Sequence, residues 1–143
     1  MKPRFNISTR VTVRFSDTDA MGHCNNARII SFMEEGRVAY FKKLFPDQSL
    51  SDQFKMFPFI LAEIQCSFKS PSFCNEIIIV NLGTTQYGNK SFVLEYELIE
   101  EQTRRVIATG KSVQVMYDYH TKTTYKIPDE LKNRMKQIEG DPA

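Results

Sequence analysis

Two carboxylates, Asp17 and Asp19, stand two residues apart in the run D-T-D-A-M-G-H-C-N-N, and Gly22, His23, Asn25 and Asn26 follow closely. A carboxylate can attack an electrophilic carbon directly, or it can deprotonate a water molecule that does so. Asn25 is a good helix N-cap, and a helical pattern begins just after it. The start of a helix offers backbone N–H groups without intrahelical partners and a partial positive charge, which suits a developing oxyanion. One turn and one helix start thus offer both an acid or base and a donor that polarises a carbonyl. Each residue also has a plainer use. Asp19 suits a turn or cap, Asp17 suits holding the turn in shape, and His23 is either a general acid or a hydrogen-bonded turn residue. Glu34 and Arg37, three apart on a helix face, suit an ion pair. Cys24 suits a small apolar filler.

The elements that must position this cluster can be read around it. Residues 27–44 repeat apolar groups at Ile29, Met33, Gly36, Tyr40 and Leu44, with Ile30, Phe32 and Phe41 widening the stripe, so the spacing predicts one long helix. Lys42 and Lys43 suit its negative end, and Pro46 closes it. Upstream, residues 7–15 are rich in β-branched and aromatic types and predict a strand. Residues 45–55 read as a polar connector, either a cover over a site entrance or a plain surface loop. Further strands are predicted at 57–69, 76–86, 91–101 and 105–119, divided by the break at Pro71 and by polar turns at 87–90 and 100–104. In the stretch 91–101, Phe92, Leu94, Tyr96 and Leu98 alternate with Glu95 and Glu97. Pro128 opens a short helix at 129–138, and the polar tail from about residue 139 is expected to fray. Strands joined by short turns are antiparallel neighbours, and the long helix must bury its stripe against them. The fold class is therefore α+β: a curved antiparallel sheet wrapped around one long central helix, in a single domain over residues 1–143. Gly36 inside the helix costs about 1 kcal/mol against alanine, which points to a strand passing close by.

A chain of 143 residues is long enough for a real core. A formal charge of +2 without clustering gives no footprint for nucleic acid. No stretch is long and apolar enough to span a bilayer, and the first residues lack the apolar run of a secretory leader. Three cysteines with no C-x-x-C spacing argue against a disulfide framework or a zinc site, so a cytoplasmic protein is expected.

The run D-x-D-x-x-G-H-x-N-N, followed by E-E-G-R on the helix and by Lys90-Ser91-Phe92-Val93, resembles the hotdog-fold acyl-CoA thioesterases of the 4-hydroxybenzoyl-CoA thioesterase type. The resemblance extends over nearly the whole chain. It implies hydrolysis of an acyl-CoA thioester to a free acid and coenzyme A, with no metal and no resident cofactor. It implies Asp19 as the catalytic carboxylate and the backbone N–H of Asn26 as the group that polarises the carbonyl. His23, toward the leaving thiolate, and Glu34, as a helix carboxylate near the reacting carbon, have secondary catalytic claims. Asp17, Gly22, Asn25, Lys90 and Ser91 are expected on the substrate side, Lys90 toward the coenzyme phosphates, although Gly88 and Asn89 stand where some members carry basic residues. A homodimer with sites at the interface, or a dimer of such dimers, is implied as well. Two rival functions share the fold: a thioesterase acting on acyl carrier protein, and a non-catalytic acyl-CoA binding module.

Overall fold

The pattern after Asn25 forms one helix of 19 residues, α1 (Asn26–Leu44), which buries Ile29, Phe32, Met33, Gly36, Tyr40, Phe41 and Leu44 along one face. The computed structural model describes residues 5–140. Five strands curl around α1: β1 (Ile7–Thr12), β2 (Phe59–Phe68), β3 (Ile77–Tyr87), β4 (Ser91–Glu100) and β5 (Val106–Asp118), in the spatial order β1-β3-β4-β5-β2. All pairings are antiparallel. A two-residue strand, β6 (Thr123–Thr124), pairs with β5. Two more helices complete the order, α2 (Leu50–Met56) between α1 and β2, and α3 (Asp129–Glu139) after the sheet. The curved sheet around a central helix is the architecture the sequence predicts.

In β4 the even-numbered residues Phe92 to Glu100 are buried and the odd-numbered ones are half-buried, so the strict alternation of the sequence becomes an inner and an outer face. The approach expected at Gly36 occurs: a Cβ there would lie 2.8 Å from Val80 Cγ1 on β3. On β5, a Cβ on Gly110 would run into the Gln65 carbonyl and the tip of Met33.

Three boundaries differ from the sequence expectation. Residues 45–55 are not all loop, because α2 begins at Leu50 and runs on to Met56. Ser49 caps it by accepting a hydrogen bond from the Asp52 N–H at 3.1 Å, and Gln53 and Phe57 are buried. The polar composition hid that cap and the helical spacing of Leu50, Gln53, Phe54 and Phe57. The first strand ends at Thr12 rather than at residue 15. Phe15–Asp17 instead forms a single 3-10 turn, because the Asp17 carboxylate accepts from the Arg14 N–H at 2.9 Å and draws the chain round. The pair Thr123–Thr124 was not foreseen as a strand at all. The expectation of a frayed tail falls largely on residues 141–143, outside the described range.

The far end of α1 is closed by aromatic rings. Phe41, Phe54 and Phe59 form a triad with centroid separations of 5.7, 5.2 and 5.6 Å. Beside them α3 is latched on: the Glu139 carboxylate accepts from the Tyr40 hydroxyl and from the Thr84 N–H. Burial, helped by the Glu139 charge, pushes the Tyr40 hydroxyl far above its usual range and that of Tyr87 up to about 12. Among the described residues, no helix is long and apolar enough to cross a membrane.

Candidate active site

The turn ahead of α1 is built on Asp17, which is 1% exposed. Its carboxylate accepts from the Arg14 N–H and, at 3.2 and 3.4 Å, from the Arg14 guanidinium, while Arg28 stands 3.8 Å away. Burial by itself would raise this carboxyl, but the hydrogen bonds and charges of Arg14 and Arg28 outweigh it and hold Asp17 below the usual carboxylate range. The Asp17 carbonyl then accepts from the Asn25 N–H at 2.8 Å, which fixes the helix cap to the turn. Asp17 therefore orients the loop from below.

Asp19 lies on the outside of that loop and is exposed. The Asp19 N–H donates to the His23 carbonyl at 3.1 Å, and the Gly22 N–H donates back to the Asp19 carbonyl at 2.9 Å. This closes a tight turn in which Gly22 takes φ +85°, a value that disfavours a side chain. No atom lies within 4 Å of where a Gly22 Cβ would stand. The Asp19 carboxylate accepts from the Met21 N–H at 2.9 Å and stands 3.5 Å from Asn25 Nδ2.

Asn25 joins this carboxylate to the helix. Its side-chain oxygen accepts from the Ala27 N–H at 2.8 Å, and its carbonyl accepts from the N–H groups of Arg28 and Ile29 at 2.9 and 3.2 Å. Among the described residues the Asn26 N–H has no hydrogen-bond acceptor, so it is the donor of this first turn left open. One side chain, Asn25, stands between an exposed carboxylate and a free N–H at the positive end of a 19-residue helix.

A cavity of about 290 Å³ adjoins this helix start, lined in part by His23, Cys24, Asn26, Ile29, Phe68 and Ser72. His23 is half-buried, with Nδ1 3.4 Å from the Cys24 carbonyl. Cys24 is 3% exposed, and burial pushes its thiol up, away from the thiolate form. The Ser72 hydroxyl lies close enough to favour that thiolate slightly, yet it has no hydrogen-bond partner of normal geometry among the described residues.

Other residues expected at the site lie elsewhere in the chain. Glu34 is eight residues past Asn26, about 12 Å along the helix at 1.5 Å per residue. Its side chain is 72% exposed and 3.8 Å from Arg37. Arg37 itself turns inward and donates to the Tyr96 hydroxyl at 3.4 Å, at the head of a buried polar chain through Ser112 to Gln114. Lys90 and Ser91 are at the opposite end of β4. Ser91 pairs with Val115 and Leu98 with Ala108, a span of seven residues or about 23 Å. Lys90 Nζ donates to Thr124 Oγ1 at 3.2 Å. Among the described residues no group of three or more His, Cys, Asp or Glu side chains is placed to hold a metal ion. The roles of Arg14, Arg28, Tyr96 and Ser72 were not foreseen from the sequence. For Arg14 the signal was present, a basic residue three before a carboxylate; contacts made across the fold leave no such local trace.

The family model of the thioesterase-like superfamily matches residues 13–135. The chain belongs to this superfamily. The thioesterase is 30% identical over 134 residues to the uncharacterised protein YsmA of Bacillus subtilis, covering 94% of this chain and 88% of that protein. It is 23% identical to the long-chain acyl-CoA thioesterase FadM of Escherichia coli, covering 92% and 98% of the two chains. A Thermus thermophilus thioesterase solved with coenzyme A and zinc superposes with a TM-score of 0.83 at 27% identity, over 97% of this chain and 98% of that one. Such neighbours share its hotdog fold, and the thioesterase is by class a thioester hydrolase.

Proposed function

We propose that this thioesterase hydrolyses acyl-CoA thioesters, with Asp19 as the reacting carboxylate and the Asn26 N–H as the donor to the thioester carbonyl. The observation that carries the reading is the pairing of an exposed, oriented carboxylate with the one unsatisfied N–H of the α1 first turn, joined through Asn25. The Asn26 N–H, reinforced by the helix dipole, receives the carbonyl oxygen as negative charge develops on it. Asp19 then attacks the carbonyl carbon, or removes a proton from a water that does. The carbon–sulfur bond breaks and coenzyme A leaves as its thiolate, which takes up a proton. In the direct route a water molecule then hydrolyses the acyl–Asp19 anhydride; either way one water is consumed and the products are a free acid and free coenzyme A. No resident cofactor enters these steps. Coenzyme A in the Thermus relative and the activity named for FadM support a coenzyme A thioester as the substrate class.

The working unit we propose is a dimer paired through β2. That strand lies at the sheet edge, ten residues long, with Leu61 and Phe68 each 43% exposed and Ile60, Ile64 and Cys66 half-buried. An open edge of this length and apolarity is a template for another strand.

The test is a panel of acyl-CoAs of varied length and aromaticity, assayed for released thiol, with light scattering on the same samples. Turnover of at least part of the panel by a dimer or larger assembly is expected. Tight binding without thiol release would replace the hydrolase with a binding module, and an active monomer would remove the shared edge from the account.

A further inference from the structure

We propose that the Ser72 hydroxyl is a second donor to the thioester carbonyl oxygen, alongside the Asn26 N–H, a proposal that rests on the acyl-CoA reading above. Ser72 is 1% exposed, and among the described residues its hydroxyl has no hydrogen-bond partner of normal geometry. Keeping a buried hydroxyl without a partner is costly, so its presence calls for a reason. The cavity of about 290 Å³ beside the helix start supplies one. Ser72 and Asn26 both line it, and each carries a donor for which the described residues provide no acceptor. Two donors on one cavity wall suit a single strong acceptor, and the oxygen of a carbonyl under attack is one.

The segment that carries Ser72 is pinned on both sides of it. The Arg105 guanidinium donates to the Pro71 carbonyl at 3.0 Å and to the Glu76 carboxylate at 2.8 and 3.1 Å. That carboxylate in turn accepts from the Phe73 N–H at 2.7 Å. The Ser72 carbonyl accepts from the Cys24 N–H at 2.8 Å, which ties the segment to the chain two residues before Asn26. Ser70, also on the cavity wall, differs in one respect: its hydroxyl already donates to the Val106 carbonyl at 2.6 Å. The Ser72 hydroxyl can turn between staggered rotamers without giving up such a bond, since the Cys24 thiol near it is only a weak acceptor. Nor is Ser72 placed as a nucleophile, because that role needs an adjacent base and no described side chain accepts its proton. As the carbonyl carbon is attacked, the C=O electron pair moves onto oxygen. Ser72 and Asn26 donate to that oxygen, and Ser72 keeps its proton throughout.

Ser72→Ala removes an unpaired buried hydroxyl, so the melting temperature should stay the same or rise. The kcat on an acyl-CoA that the wild type hydrolyses should fall about 10²-fold, the scale of one oxyanion donor. Two unreactive coenzyme A analogues test the contact without turnover: a ketone with CH₂ in place of the thioester sulfur, and a thioether with CH₂ in place of the carbonyl. In calorimetric titrations the wild type should bind the ketone more tightly than the thioether. Ser72→Ala should weaken the ketone about fivefold, the scale of one neutral hydrogen bond, and leave the thioether unchanged. A kcat that Ser72→Ala keeps, a kcat that falls only together with the melting temperature, or a wild type that binds both analogues equally would each overturn the second donor and leave any measured hydrolysis standing. A Ser72-dependent preference for the ketone without hydrolysis of any acyl-CoA would support the donor and sink the hydrolase reading instead.

Discussion

The two ends of α1 are finished in opposite ways. At its start, an amide cap, a buried carboxylate and two arginines hold a polar turn, and an exposed carboxylate and one backbone N–H are left without full partners. At its far end, Phe41, Phe54 and Phe59 close over the helix, and Glu139 takes both the Tyr40 hydroxyl and the Thr84 N–H. One end keeps unsatisfied groups, the ones the proposed mechanism uses; the other satisfies its polar groups and removes apolar surface from water. Activity and stability should therefore be separable by position along a single helix.

The largest effect is expected from Asp19→Asn. Turnover of an acyl-CoA that the wild type hydrolyses should fall about 10²–10⁴-fold, the scale of a positioned base, with the melting temperature unchanged. Full activity in Asp19→Asn together with a loss in Glu34→Gln would move the chemistry to the helix carboxylate. The opposite end should respond in the opposite way. Phe41→Ala should cost about 3–5 kcal/mol in denaturant unfolding, while the protein still folded keeps its kcat.

Asp17→Asn should mix the two outcomes, because Asp17 sits beneath the reacting turn without facing it. A stability loss of about 1–3 kcal/mol is expected, with less loss of turnover than in Asp19→Asn. Its signature is in pH. The folded chain holds the Asp17 carboxyl below the ordinary range, so the folded state favours the ionised form. That stabilisation is fully present above about pH 3.9, the ordinary aspartate value, and is lost as pH falls through the lower pKa of folded Asp17. Asp17→Asn should flatten this part of the acid unfolding curve, and an unchanged curve would assign the acid sensitivity elsewhere. The smallest effect is expected from Cys24→Val, which fills the same buried position and should keep activity within about twofold. A loss on the order of 10³-fold would make the thiol a nucleophile.

How legible these regions were in the sequence follows the range of the forces that make them. The alternation in β4 and the stripe on α1 came through because local periodicity and burial agree there. The cap at Asn25 and the turn at Gly22 came through because each is decided within a few residues. The helix α2 did not, since its apolar positions are diluted by Asp52, Gln53 and Lys55, and its packing against Phe41 and Phe59 is a tertiary matter. The same is true of Arg28 below Asp17 and of the buried chain from Arg37 to Gln114. At the site, the types and order of the residues were readable. Which of them hold the turn, which face outward and which lie a strand's length away became visible only once the chain was folded.

The close contacts at Gly36 and Gly110 have a mechanical consequence. Val80 leaves no clearance for a methyl group on one flank of α1, and Met33 rests against Gly110 on another, so the helix is seated directly on the sheet. In the mechanism proposed above, the Asn26 N–H is carried on that helix and gives the incoming carbonyl a fixed reference. Asp19 is tied back to the same reference, since its carboxylate accepts from the Met21 N–H and stands 3.5 Å from the Asn25 side chain that caps the helix.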